Sequence, residues 1–431
     1  MKRSLPPMLV CLACLIPGTA MAKVWVAGRD APTVQGCVDL ARPGDVVEVP
    51  TGVWRERIAI AKAITLKGRG GVIDGGGEGT VLRIRAAKVQ VLDLVLSGSG
   101  SDLGAPDACV FLEKTARAAR LQGNTLQRCA FGIWVNEAER TELIGNRIVG
   151  STSGHRSNRG NSIHLFNASH LVVRGNTISG GRDGIYVSAV EDSLIEANTF
   201  EQCRYGVHYM YSYRNTLRGN VGRGNTSGYA LMGSQYIKAI GNLAIENEER
   251  GILLRDVEHC TIKDNQLARN GMGFFIYSST HNEISGNWVA YNDVGVKLWA
   301  GSLRNQVTSN AFVANRTQVF YVSSADLELG MAGPGNYWSD YTGWDQNNDG
   351  IGDRPYRLDS FTTNLTHRFP AAALLLRSPT LELLSHLEQT MPVFRVPTVI
   401  DRSPLLANPI RDIRPEARKG SVHTSASQEG S

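Results

Sequence analysis

Several things are scarce in this 431-residue chain, and each scarcity excludes something. Aromatic residues make up only 7% of it, and no aromatic-basic stripe accompanies the scattered Lys and Arg. A net charge of +5, from 45 basic and 40 acidic residues, therefore gives no footprint for nucleic acid. After the first residues no apolar run reaches the ~20 positions that a membrane-spanning helix needs. No segment carries a sustained 3.6-residue apolar period before about residue 378, which excludes helical repeats. Cysteines number seven. Cys11 and Cys14 lie in the N-terminal apolar stretch, leaving Cys37, Cys109, Cys129, Cys203 and Cys260. An odd number at wide spacing gives no disulfide framework, so these five read as small buried hydrophobes, with thiolate metal ligation as the other reading.

The first residues are informative. Lys2 and Arg3 precede an apolar stretch from Met8 to Ile16, followed by Ala20-Met21-Ala22. That is the pattern of a secretory signal peptide over 1–22, cleaved after Ala22, and it places the mature protein in a bacterial periplasm.

What is abundant is repetition. The unit apolar-x-x-Asn-x-apolar recurs around Asn124, Asn146, Asn176, Asn198, Asn220, Asn242, Asn265, Asn287 and Asn310, at spacings of 22, 30, 22, 22, 22, 23, 22 and 23. A second marker runs beside it: Gly132, Gly184, Gly206, Gly228, Gly251, Gly273 and Gly295, each followed by alternating residues. Leucine-rich repeats have units of similar length, but their Leu-x-x-Leu-x-Leu signature is missing. Short period-2 stretches mark strands, and Asn and Gly tolerate left-handed corners. Stacked asparagines can also bond from rung to rung. The pattern predicts an all-β protein, a right-handed parallel β-helix of 22-residue rungs, over 23–335. Its first rungs, Pro43–Glu56 and Ile64–Gly68, resemble those of pectate-lyase-like β-helix proteins.

Further domains follow. Residues 336–370 read as a turn-rich cap with an acidic loop, and 371–410 as a docking segment with a short helix. Ser378 is its N-cap, Pro379 its first position, and Leu381, Leu384 and Leu387 its apolar, partner-binding stripe. Truncation near residue 370 is expected to leave a folded coil. Residues 411–431 are polar and expected to be disordered.

Alternation sorts the glycine-anchored rungs into columns. Ile185, Val207, Tyr229 and their successors point inward, as do Val187, Tyr209 and Leu231. Outward stand Trp134, His164, Tyr186, His208, Ala230, Leu253, Phe275 and Lys297, and beside them Ser188, Met210, Met232, Arg255, Tyr277 and Trp299. Such a wall is apolar for an outer face, which fits either a covering segment or a partner surface. Within it His208, Met210 and Met232 are expected to converge, and an imidazole with two thioethers suits Cu(I). The acidic loop places Asp345, Asn347, Asp349 and Asp353 at positions 1, 3, 5 and 9, with Gly350 at 6 and Tyr356 at 12 where a Glu is wanted. That spacing makes it a candidate calcium site; the plainer reading is an Asx-turn loop packed by Tyr337, Trp338 and Trp344.

Three motifs carry a family resemblance: Arg182-Asp-Gly-Ile-Tyr-Val187, Gly206-Val-His-Tyr-Met-Tyr-Ser212, and Gly335-Asn-Tyr-Trp-Ser-Asp-Tyr341 continuing through Asp349-Gly-Ile-Gly-Asp-Arg-Pro-Tyr356. Together they resemble the NosD family over nearly the whole mature chain. The resemblance implies a non-catalytic periplasmic subunit that sits on an ABC permease, NosY, driven by an ATPase, NosF. It implies copper received from a chaperone, NosL, and passed on to assemble the copper-sulfur centre of nitrous oxide reductase. Membrane association would come only through those partners. The copper ligands are read from the columns, not from the resemblance. The main rival is a polysaccharide lyase or C5-epimerase on the same fold, which needs a base and a carboxylate-neutralising group in a groove. The outward columns are apolar rather than cationic, against that reading. A surface adhesin explains the coil but not the Met and His column.

Overall fold

A computed structural model describes residues 22–299, 301–323, 326–329, 333–358, 378–380, 383 and 398–410. Its path is a parallel β-helix. Each rung contributes two three-residue strands, such as Arg120–Gln122 and Thr125–Gln127, to one large sheet of 24 strands. A longer strand, such as Asp183–Ser188 or Tyr205–Met210, goes to a second sheet of 12. Pairing between successive rungs is parallel and in register: Val187, Tyr209, Leu231, Leu254 and Ile276 are successive partners. These inward residues are buried and form one continuous apolar core.

The corner between the two short strands is held by buried asparagines. Each ladder Asn donates its backbone N–H and its Nδ2 to the Oδ1 of the Asn one rung on, as Asn198 does to Asn220 at 2.9 and 3.0 Å. The same Nδ2 also reaches the carbonyl of Val173 one rung back, at 2.9 Å. The pattern runs unbroken from Asn124 to Asn336, one rung beyond Asn310, the last asparagine of the repeat read from the sequence. The left-handed residue is not the Asn but the one before it: Gly123 has φ +68°, Ala197 +54° and Ser309 +56°. The glycine column answers a different constraint. A Cβ at Gly184 would lie 2.6 Å from the carbonyl oxygen of Gly206, and one at Gly206 2.8 Å from that of Gly228. Backbones pass too closely there for any side chain.

Both ends are closed. A seven-residue helix, Val34–Leu40, packs Val34, Cys37 and Val38 inward at the N-terminal end. Its first amides are taken by Thr33 and by the Glu56 carboxylate, at 2.8 and 2.9 Å. Lys62 donates to the carbonyls of Val38, Asp39 and Ala41 at its other end. At the C-terminal end Tyr337–Trp338 adds a strand to the coil. Val399–Asp401 then pairs with Leu327–Leu329 and Tyr356–Arg357. Asp401, fully buried, accepts from Asn336 N and Nδ2 and from Trp338 Nε1 through one oxygen, at 2.7, 3.0 and 3.0 Å. The asparagine ladder thus ends on a carboxylate 65 residues away.

Three expectations are corrected. Cys109 and Cys129 form a disulfide, so not all five cysteines are free; Cys37, Cys203 and Cys260 are, and are buried. Residues 398–401, inside the expected docking segment, are part of the coil's closure, so truncation near 370 removes the ladder's last acceptor. Trp344 is half exposed under the Arg354 guanidinium, while Trp338 is the buried member, stacked between Phe312 and Tyr356 at 4.4 Å from each. Pro379, Thr380 and Leu383 are helical. Leu381, Leu384, Leu387 and the 411–431 tail lie outside the described residues, as do residues 1–21 of the expected signal peptide.

Asp401→Ala leaves three buried donors without an acceptor. At about 1–3 kcal/mol for each such group, the C-terminal rungs should open well before the rest. Proteolysis should then trim the chain back from the C-terminal end at denaturant concentrations the parent tolerates.

Candidate functional site

The outward face of the long-strand sheet carries the wall that the alternation predicts. Its first half is a ladder of rings. Trp134 and His164 stack at 4.3 Å and 6° between planes. His164 meets Tyr186 edge-on at 5.0 Å, and Tyr186 meets His208 at 5.1 Å. His208, Ala230 and Leu253 are buried although they face outward. The eight-residue insertion after Asn146 folds along the corner where these strands begin, with Arg156 bound to Glu248 at 2.8 Å. The lower half is cationic and aromatic: the Lys297 ammonium lies 5.0–5.5 Å from the ring centres of Phe275, Trp299 and Phe320.

At the head of the wall sits a charged cluster that the column reading missed. Asp183 is fully buried. Both its oxygens accept from Arg204, at 2.9 and 2.7 Å, and Oδ2 also lies 3.0 Å from His208 Nδ1. Burial alone would raise this carboxyl, but hydrogen bonds from His208 and Arg204 outweigh it and hold the group below the usual carboxylate range. A signal existed: Asp183 lies 21 residues before Arg204 and 25 before His208, close to one rung.

Met210 and Met232 are direct register partners on adjacent strands, and both are half-buried. His208 stands two residues before Met210, opposite Ala230 and turned by its Nδ1 toward Asp183. Its Nε2 is buried without a hydrogen-bond partner. The strands therefore bring the two thioethers side by side, with the imidazole next along the same face. Among the described residues no group of three or more His, Cys, Asp or Glu side chains is placed to hold a metal.

The 345–353 loop is closed by its own amides. Asp345 accepts from Asp349 N and Gly350 N at 3.2 and 2.8 Å, and Asn347 from Asp349 N at 3.2 Å. Asp349 accepts from Ile351 N at 2.8 Å, and Asp353 from Gln346 N at 2.6 Å. Asn347 and Asp349 thus make Asx turns, while Asp345 and Asp353 accept from farther along a largely exposed loop. Among the described residues no helix is long and apolar enough to cross a membrane.

Fold and wall define a class: a parallel β-helix whose outer face carries a ladder of rings and a pair of thioethers. The catalytic domain of a GH87 α-1,3-glucanase shares the fold, with a TM-score of 0.51 at 12% identity, covering 78% of this chain and 71% of that one. Sequence comparison is more specific. Residues 149–343 match the family model described as "Periplasmic copper-binding protein (NosD)". A "Probable ABC transporter binding protein NosD" of Pseudomonas aeruginosa is 39% identical over 360 residues, 80% of this chain and 84% of that one. Its namesake from Stutzerimonas stutzeri is 36% identical over 387 residues, 86% of this chain and 89% of that one. The chain belongs to the NosD family.

One group in the ring ladder makes stability depend on pH. Burial first, then the Arg182 charge, push His164 down from 6.5 to about 4. The folded protein therefore keeps this imidazole neutral where the unfolded chain has already taken up a proton. The contribution is whole above pH 6.5 and is lost as pH falls toward 4. Between about pH 7 and pH 5 it amounts to about 2 kcal/mol. His164→Phe preserves a ring between Trp134 and Tyr186, and its urea midpoint should fall less over that interval than the parent's.

Proposed function

We propose that this protein is a periplasmic accessory subunit that receives copper and assists assembly of the copper-sulfur centre of nitrous oxide reductase, together with an ABC transporter. The observation that carries the reading is family membership, at 36–39% identity over most of the chain and of its relatives. Those relatives are named as ABC transporter binding proteins, and the family model as copper-binding and periplasmic. On this reading the permease NosY and the ATPase NosF are its membrane partners, and NosL delivers the metal. The leucine stripe Leu381, Leu384 and Leu387 is the permease contact. Because residues 398–401 close the coil, that contact is addressed by substituting the leucines rather than by removing the segment.

The wall supports an accessory role over a lyase or epimerase. Asp183, the carboxylate at its head, is fully buried and bound on both oxygens, which leaves it no reach to a sugar. Met210 and Met232 supply two soft donors fixed one strand apart, about 4.8 Å by sheet geometry. With His208 they would make a three-donor set suited to Cu(I).

Met210→Leu combined with Met232→Leu keeps volume and apolarity, so folding should be nearly unchanged. Cu(I) affinity of the purified protein should fall, and nitrous oxide reductase made beside it should lack its copper-sulfur centre. Normal Cu(I) binding by the double variant would make this pair a packing surface.

We also propose, on spacing alone, that the 345–353 loop takes calcium through Asp345, Asn347, Asp349 and Asp353. A chelator should lower the melting temperature of the parent and leave Asp349→Ala unaffected. An unchanged parent would mean the amides alone close the loop.

A further inference from the structure

His208 and His164 occupy the same outward column two rungs apart, yet their surroundings differ. His164 lies flat on Trp134, and its Nδ1 meets only the Asn161 amide, at 3.4 Å. His208 is gripped. Tyr186 and Tyr205 flank its ring at 5.1 and 4.9 Å, and Nδ1 lies 3.0 Å from Asp183 Oδ2. Arg204 Nη2 also comes within 3.2 Å of that nitrogen, so two tautomers compete on distance alone.

Charge decides between them. An arginine has only donors and an ionised aspartate only acceptors. Were Nδ1 bare, its lone pair would face the Asp183 lone pairs at 3.0 Å inside a buried site. Arg204 gains little from a bare Nδ1, since its Nη2 already donates to the same Asp183 oxygen at 2.7 Å. The proton therefore belongs on Nδ1, donated to Asp183, and Nε2 carries the lone pair on the side of the ring away from the carboxylate. That nitrogen is buried with no partner. Most buried polar atoms have one, and leaving one without it costs about 1–3 kcal/mol. Met210 follows two residues along the same face, about 6.6 Å by strand rise, with Met232 as its register partner.

We propose that Asp183, clamped by Arg204, is a positioning residue that fixes the tautomer of His208 and leaves Nε2 as the nitrogen donor to Cu(I). The proposal rests on the reading of His208, Met210 and Met232 as the copper wall, and adds the atom that binds and the group that aims it. Metal-ligating histidines are oriented in this way by a carboxylate on the other ring nitrogen, and removing that partner lowers metal affinity about 10–100-fold.

The first part of the test needs no copper. In protein labelled with ¹⁵N at histidine, with His208 assigned through His208→Gln, the parent should show His208 protonated at Nδ1 and bare at Nε2. A proton on Nε2 overturns the proposal. Asp183→Asn should then shift His208 toward the other tautomer, which a purely structural aspartate would not do. Its Cu(I) affinity, by competition against a colorimetric Cu(I) chelator, should fall about 10–100-fold. Copper-edge X-ray absorption of the Cu(I)-loaded parent should show one nitrogen with sulfur, and His208→Gln should lose the nitrogen alone. Met210→Leu with Met232→Leu should lose sulfur while keeping the tautomer. An all-sulfur site in the parent overturns the role of Asp183 and His208 but leaves the copper function standing. A parent that takes up no Cu(I) overturns the copper function, and the donor role with it.

Discussion

The hydrogen-bonded column of buried asparagines is the constraint on which the rest of this molecule depends. A side-chain amide has two donors and an acceptor with two lone pairs, and each ladder Asn spends them on the rung before and the rung after. A net gain of about 1 kcal/mol for each bond understates the effect, because breaking one member strands its neighbours on both sides. The rungs are thereby locked in register, and register decides which side chains share a column. The glycine column closes the same packing from the other side, since any Cβ there would strike the next rung's carbonyl.

A stack of this kind has a problem only at its ends, where the last rung offers bonds to nothing. The two ends solve it with charge. Glu56 and Lys62 satisfy opposite ends of the short N-terminal helix, and Asp401 accepts three donors from the last full rung. A carboxylate suits that place because it has acceptor capacity and no donor left to satisfy.

What could be read in the sequence was whatever repeats. Spacings of 22 and 23 residues carry the ladder, the glycine column and the sorting of side chains to inner and outer faces. What was missed falls into two kinds. Asp401 and the N-terminal helix lie outside the repeat, so no period points to them. The Cys109–Cys129 bridge and the Asp183–Arg204–His208 cluster were within reach of the period. Their separations of 20, 21 and 25 residues are near one rung, which in a coil means neighbours. Their partners lie diagonally across the columns rather than straight up the coil, since long side chains also meet diagonally. Of the wall, the pairing of Met210 with Met232 was legible and the turn of His208 toward Asp183 was not.

Rigidity and function meet at the wall. No strand of the coil can slide without breaking ladder bonds above and below it, so the backbone under the thioethers and the imidazole is a fixed template. A methionine, with three rotatable bonds and a polarizable sulfur, is well suited to move on such a template, while a histidine pinned by a buried aspartate is suited to stay. Under the proposed function this divides the labour among three donors. With His208 held by Asp183, Met210 and Met232, both half-buried, would be the donors that move to take a soft ion and to release it. A site with one fixed arm and two mobile ones binds without reorganising the fold and lets go without unfolding it.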